Sequence, residues 1–147
     1  MNPGADERLA ADCCELLGCV SGSIAVRAPS GGRLAAALVA RLGTPAGRPA
    51  GAIVVFVGAP AEPAGRQALL ARLRAELSPA APLVLVDHNQ PRRWWARALA
   101  ALRLAAGGLP PARARYPAAR ELVALGFTVE CLRLARGERL QLVRARR

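Results

Sequence analysis

Two wholly apolar runs, Ala52-Ile53-Val54-Val55-Phe56-Val57 and Leu83-Val84-Leu85-Val86, limit what this chain can fold into more than any other feature. Neither alternates polar with apolar residues, so each suits a strand covered on both faces, as inside a parallel sheet. Gly58-Ala59-Pro60 stops the first run, and the second ends in Asp87-His88-Asn89. Between them, Pro63 to Leu77 places Leu69, Leu70, Leu73 and Leu77 at helical spacing, with Arg66, Arg72 and Arg74 around them. That pattern predicts an amphipathic crossover helix. Strand, helix and strand form a βαβ unit, which is right-handed as a rule, and the sheet is expected to be mainly parallel.

The flanking segments extend this α/β reading. Asp6 to Cys19 reads as a helix, with Leu9, Cys13, Leu16 and Leu17 near one face and acids at its start. Ser23 to Val26 reads as a strand, Ala28-Pro29-Ser30-Gly31-Gly32 as a turn, and Arg33 to Leu42 as a helix. Gly43 to Gly51, rich in Gly and Pro, is loop. A helix is expected from Arg92 to Ala105, then a loop at 107–111, then a short helix from Tyr116 to Leu125 closed by Gly126. Phe127 to Ala135 and Arg139 to Ala145, joined by Arg136-Gly137-Glu138, predict a β-hairpin. There is no internal repeat and no coiled-coil pattern.

With 147 residues, 53% of them hydrophobic, one domain over residues 1–147 is expected. No apolar run approaches the ~20 residues of a membrane span, so membrane association is not expected. The first residues, MNPGADERLAADCC, place acids where a secretory signal carries a basic stretch, which makes a cytoplasmic location the default. The net charge is +11 and all 21 basic residues are Arg. An all-Arg basic set beside abundant Ala, Gly and Pro is also what a GC-rich coding sequence produces, so Arg content alone says little. Its distribution says more: residues 1–91 carry 8 Arg against 7 acids, and residues 92–147 carry 13 Arg against 3 Glu. Such a field attracts nucleic acid, anionic lipid or an anionic substrate. Because the Arg residues are scattered and aromatics are few, a solvated Arg-rich surface accounts for them at least as well. Cys13, Cys14, Cys19 and Cys131 contain no CxxC pair and lie far from the sole histidine, so no metal site is expected. Their expected role is burial as small apolar residues.

The order of elements from residue 50 onward carries a resemblance. A buried strand, a helix, a second buried strand ending in an acid, a helix, a short helix into Gly126-Phe127 and a closing hairpin resembles the second half of class I S-adenosylmethionine-dependent methyltransferases. Residues 120–130 (ArgGluLeuValAlaLeuGlyPheThrValGlu) and 139–146 (ArgLeuGlnLeuValArgAlaArg) are similar to the way many of those enzymes end. The resemblance implies a Rossmann-like, mostly parallel sheet with flanking helices and a carboxyl-terminal antiparallel hairpin, a shortened version of that fold. It also implies that the last strand inserts antiparallel beside the parallel ones.

The same resemblance assigns a cofactor site. In that family a glycine-rich turn after the first strand approaches S-adenosylmethionine, and an acid at the end of the second strand binds its ribose hydroxyls. The matching turn offers Ala28, Ser30 and Gly32 where three alternating glycines belong, with Gly31 between, and only Gly32 agrees. Only Gly43 to Gly51 separates the first helix from the next buried strand, and no Asp or Glu occurs between Glu15 and Glu62, so the second and third strands of the usual sheet are expected to be missing or remodelled. S-adenosylmethionine is thus the implied cofactor of an active chain, with weak or no binding expected.

The remaining rim residues are Gly58 and Asp87, implied cofactor contacts, and His88, whose ordinary pKa suits a general base. A solvated or capping loop histidine is the competing role for His88, and turn or capping roles compete for Asp87 and Asn89. Asn89 with Arg92, Arg93, Trp94 and Trp95 is a candidate substrate or partner surface. Adjacent helical tryptophans point about 100° apart, so one is expected in the core and the other under a lid or a second subunit. Three functions follow: a methyltransferase acting on a small molecule, a non-catalytic methyltransferase-like partner or homodimer subunit, and a basic nucleic-acid-binding module.

Overall fold

The computed structural model describes residues 3–44, 47–59 and 62–147. Its elements are α1 (Pro3–Leu17), β1 (Ile24–Arg27), α2 (Arg33–Leu42), β2 (Gly51–Val55), α3 (Pro63–Glu76), β3 (Pro82–His88), α4 (Trp94–Ala106), a 3-10 turn (Pro111–Arg115), α5 (Ala118–Ala124), β4 (Thr128–Ala135) and β5 (Leu140–Arg146). Five strands form one open sheet in the order β1-β2-β3-β5-β4. β1 pairs with β2 and β2 with β3 in parallel, with Val26 opposite Ile53 and Val54 opposite Leu85. β5 returns antiparallel to β3, placing Val143 opposite Leu85, and β4 closes the hairpin at the edge.

The doubly apolar strands are explained by their period-two alternation between two helical layers. Val54, Phe56, Leu83, Leu85 and Val143 face Leu70, Leu73 and Leu77 from α3 and its end, with Ala118 and Leu122 of α5. Ile53, Val55, Val84, Val86 and Leu142 face Leu9, Cys13, Leu16 and Leu17 of α1, with Leu34 and Leu38 of α2. The result is a three-layer α/β/α arrangement built on a mixed sheet. The strands beyond β1 that the usual sheet carries are absent among the described residues, so β1 is an edge.

The structure differs from the sequence reading at several element ends and in the cysteines. α1 begins at Pro3, because a proline is tolerated in a first helical turn. α4 begins at Trp94 with Arg93 extended as its N-cap. Tyr116 lies outside α5, held away by Pro117 and the preceding 3-10 turn. Of the four cysteines only Cys13 is buried; Cys14 is half-buried, and Cys19 and Cys131 are exposed, correcting the expectation that all pack as core residues. Pro60 and part of the 43–51 loop (residues 45 and 46) lie outside the described residues.

Candidate functional site

At the carboxyl ends of the parallel strands, three turns meet. The turn after β1 holds Gly31 and Gly32 at φ +63° and +100°, a region that side chains disfavour. The Gly31 amide donates to the Ala28 carbonyl at 2.9 Å. Ser30 Oγ donates to the Val57 carbonyl at 2.9 Å, tying this turn to the one after β2. There Gly58, also left-handed at φ +80°, donates its amide to His88 Nε2 at 3.2 Å.

That last bond defines the state of His88. An imidazole nitrogen that accepts a hydrogen bond carries no proton, so the ring is neutral with its proton on Nδ1. Burial lowers the histidine pKa from its ordinary value; Asp87 opposes that shift and Arg113 adds to it. A base whose lone pair already accepts from the backbone has its Nε2 occupied. The geometry gives His88 a bracing role between the ends of β2 and β3.

Asp87 does not reach the rim. Its side chain is fully buried, with Oδ1 2.6 Å from an Nη2 of Arg113 and Oδ2 2.9 Å from an Nη2 of Arg66. Arg66 also binds Glu121 at 2.8 Å, and the Tyr116 hydroxyl donates to Glu121 at 2.9 Å. The Arg66 guanidinium lies 3.8 Å from the Phe56 ring centre and 4.0 Å from that of Tyr116, a geometry that adds cation–π attraction. Burial works against the charged form of Arg66, but the hydrogen bond to Glu121 and the charge of Asp87 prevail and raise its pKa. Arg113 in turn donates to the Phe56 carbonyl at 3.2 Å. Two cations and two anions thus form a neutral buried network beneath the rim.

A cavity of about 300 Å³ opens between the strand ends, α4 and the hairpin turn. Val57, Ala100, Leu104, Leu109 and Leu140 give it apolar walls. Gly58, His88 and Asn89 line one side, and Arg103, Arg136 and Arg139 supply its charge. The size falls at the small end of ordinary ligand sites. Asn89 Nδ2 donates to the Glu138 carbonyl at 2.7 Å, and the Asn89 amide to the Arg139 carbonyl at 2.8 Å, so Asn89 fastens the hairpin turn to the rim.

Of the residues singled out in the sequence, Gly58, His88 and Asn89 line the cavity. Ala28, Ser30, Gly31 and Gly32 form the neighbouring turn, and Asp87 lies buried below. Arg92 donates its backbone amide to the Glu138 carboxylate at 2.9 Å and, with Arg93, Trp94 and Trp95, is not part of the cavity wall. Both tryptophans are exposed, Trp94 at 79% and Trp95 at 51%, which corrects the expectation that one enters the core. The inward positions of α4 are occupied by Ala100 and Leu104 instead. Sequence reasoning missed Arg103, Arg136 and Arg139 at the cavity and Arg66, Arg113, Tyr116 and Glu121 in the network. Spacing carries no signal that separates these arginines from the exposed ones.

No protein-family model and no curated protein sequence matches the chain. Solved structures do. The pyocyanin biosynthetic protein PhzM superposes with a TM-score of 0.66 at 15% identity, over 97% of this chain and 54% of that one. The mitomycin 7-O-methyltransferase MmcR gives 0.65 at 18% identity, over 99% and 53%. The glycopeptide N-methyltransferase MtfA, complexed with S-adenosyl-L-homocysteine, gives 0.61 at 18% identity, over 97% and 89%. This chain spans about half the length of the first two.

Proposed function

We propose that this chain, which has a class I S-adenosylmethionine-dependent methyltransferase fold, receives a small molecule at the rim formed by β2, β3 and the hairpin, while holding S-adenosylmethionine weakly or not at all. The observation that carries the reading is the position of the intact rim. The cavity lies where β2, β3 and β5 meet, whereas the sheet stops at β1, on the side where the family's cofactor site would continue. Open α/β sheets bind ligands outside the carboxyl ends of their strands, and here only that part of the rim is backed by a complete wall.

The residues beside the cofactor position fit S-adenosylmethionine poorly. The carbonyl of Val57 and the hydroxyl of Ser30 are spent on each other, Pro29 has no N–H to donate, and residues 16–61 contain no carboxylate for the ribose. If the cofactor does bind, it supplies an electrophilic methyl group; Gly31, Gly32 and the start of α2 would face it, and His88 would hold the adjoining turn through Gly58. Calorimetric titration with S-adenosylmethionine and S-adenosylhomocysteine tests this. No binding in the micromolar range is expected, for the wild-type chain and equally for Ala28→Gly/Ser30→Gly, because restored glycines do not replace the ribose acid. Micromolar binding by the wild type would overturn the reading.

A further inference from the structure

We propose that the cavity between α4 and the hairpin turn is a receptor for a small apolar anion, an aromatic carboxylate being the chemistry that fits, and that binding requires no S-adenosylmethionine. The inference rests on the reading of this rim as a small-molecule site. It follows from the balance of charge around the cavity: three guanidinium groups and, among the described residues, no carboxylate in the lining. Arg136 has Asp6 as its ion-pair partner. Arg103 makes no ion pair among the described residues, and Arg139 spends only Nε, on the Arg136 carbonyl at 2.9 Å. A guanidinium has five N–H donors in a planar fork that matches a carboxylate. Most of the donors of Arg103 and Arg139 are therefore unspent.

The three cations also work against one another. Arg103 and Arg139 are exposed at the cavity mouth, and slight desolvation, with the charges of Arg103 and Arg136 acting in the same direction, lowers the pKa of Arg139. An anion placed among them relieves that repulsion, whereas a neutral ligand leaves it standing. The one nearby acid in the turn, Glu138, is directed to the Arg92 amide.

The turn is built to hold its arginines in place. Arg136, Gly137 and Glu138 stand at φ +53°, +63° and +65°, three successive left-handed residues of which two carry side chains. Such a conformation persists only when its surroundings impose it, and here Asn89 does so through the carbonyls of Glu138 and Arg139. The opposite wall, Ala100, Leu104 and Leu109, offers only apolar contact, so the ligand must combine an apolar body with a charged end. A concave site of about 300 Å³ admits a single small molecule and not a nucleic-acid strand.

Isothermal titration of the full chain, with no cofactor added, tests the proposal using 2-naphthoate and its neutral analogue 2-naphthylmethanol. Naphthoate is expected to bind about tenfold or more tightly than the alcohol, and Arg103→Ala or Arg139→Ala to weaken naphthoate by a similar factor. Arg120→Ala, which removes the same charge from the exposed face of α5, is expected to leave affinity unchanged. Equal affinity for acid and alcohol, no naphthoate binding at millimolar ligand, or an Arg120→Ala effect as large as that of Arg103→Ala would each overturn the proposal. The wild-type comparison of the two ligands decides even if a variant folds poorly. Micromolar S-adenosylmethionine binding would defeat the weak-cofactor reading and leave this inference intact, so the two failures are distinguishable.

Discussion

Replacing Asp87 by Asn keeps the shape of the side chain and removes its charge, which tests whether the network beneath the rim behaves as a closed set of charges. Asp87 lies 2.6 Å from Arg113 and 2.9 Å from Arg66, and all three side chains are within 2% of full burial. With Glu121 included, the charges balance; after Asp87→Asn, two guanidiniums face a single carboxylate. Removing one partner from a buried ion pair costs about 3–5 kcal/mol, a large share of the ~5–15 kcal/mol that holds a domain together. At ~2–4 °C per kcal/mol for a chain of this size, the melting midpoint should fall by roughly 10 °C. Urea unfolding followed by far-ultraviolet circular dichroism gives the free energy directly. Asp87→Asn/Arg113→Gln restores the balance of charge, so the double variant should be more stable than the sum of the two single losses by about 1 kcal/mol or more. A cost below ~1 kcal/mol for Asp87→Asn, or additivity of the two changes within ~0.5 kcal/mol, would refute the closed-network argument.

Two further outcomes follow from single side chains. Because His88 is held below its ordinary pKa by burial, the unfolded chain binds more protons below about pH 6.5, and the contribution of His88 to stability is lost as pH falls through that region. Urea midpoints at about pH 7.5 and about pH 5.5 should therefore drop more for the wild type than for His88→Gln, and parallel drops would remove the assignment. Burial, with Cys14 and Asp12 adding to it, pushes the Cys13 thiol up to about 12, so iodoacetamide on the native protein should label Cys19 and Cys131 while Cys13 reacts only on unfolding. Labelling of Cys13 as fast as Cys19, read by peptide mass, would mean that α1 is not packed on the sheet.

The fold was legible in the sequence because its defining signals are local and long. The runs at 52–57 and 83–86 have no polar residue to expose, so burial on both faces followed from composition, and the hairpin beside β3 followed from the resemblance. The site was legible only where a turn residue stands at a strand end, as for Gly58, His88 and Asn89. Asp87 stands at such an end but points inward, since a seven-residue β3 alternates faces and Arg66 waits in α3 to neutralise it. Nothing in residue 66 announces this; Arg66, Arg72 and Arg74 are equivalent by helical spacing, yet Arg66 is buried and Arg72 makes a surface pair with Glu76. The tryptophans misled for a related reason. Large aromatics ordinarily seek the core, but the inward positions of α4 fall on Ala100 and Leu104, leaving both tryptophans of its first turn outside.

Ending the sheet at β1 creates an open edge, and open edges invite pairing with other chains. The structure limits that risk at both borders. β1 offers only four residues, Ile24–Arg27, with Arg27 at its end paired to Glu76 at 3.4 Å. At the far border β4 carries a bulge between Val129 and Cys131, where the extra residue Glu130 binds Arg144 at 2.7 Å, and Arg133 pairs with Glu15 at 3.0 Å. Bulges and charged side chains are the usual protections of an edge strand. Both borders thus carry such protections, and of the three parallel strands β2 and β3 are the ones flanked on both sides. The buried network lies beneath the ends of those two strands, and the cavity with its three arginines opens beside them on the side of the rim away from β1.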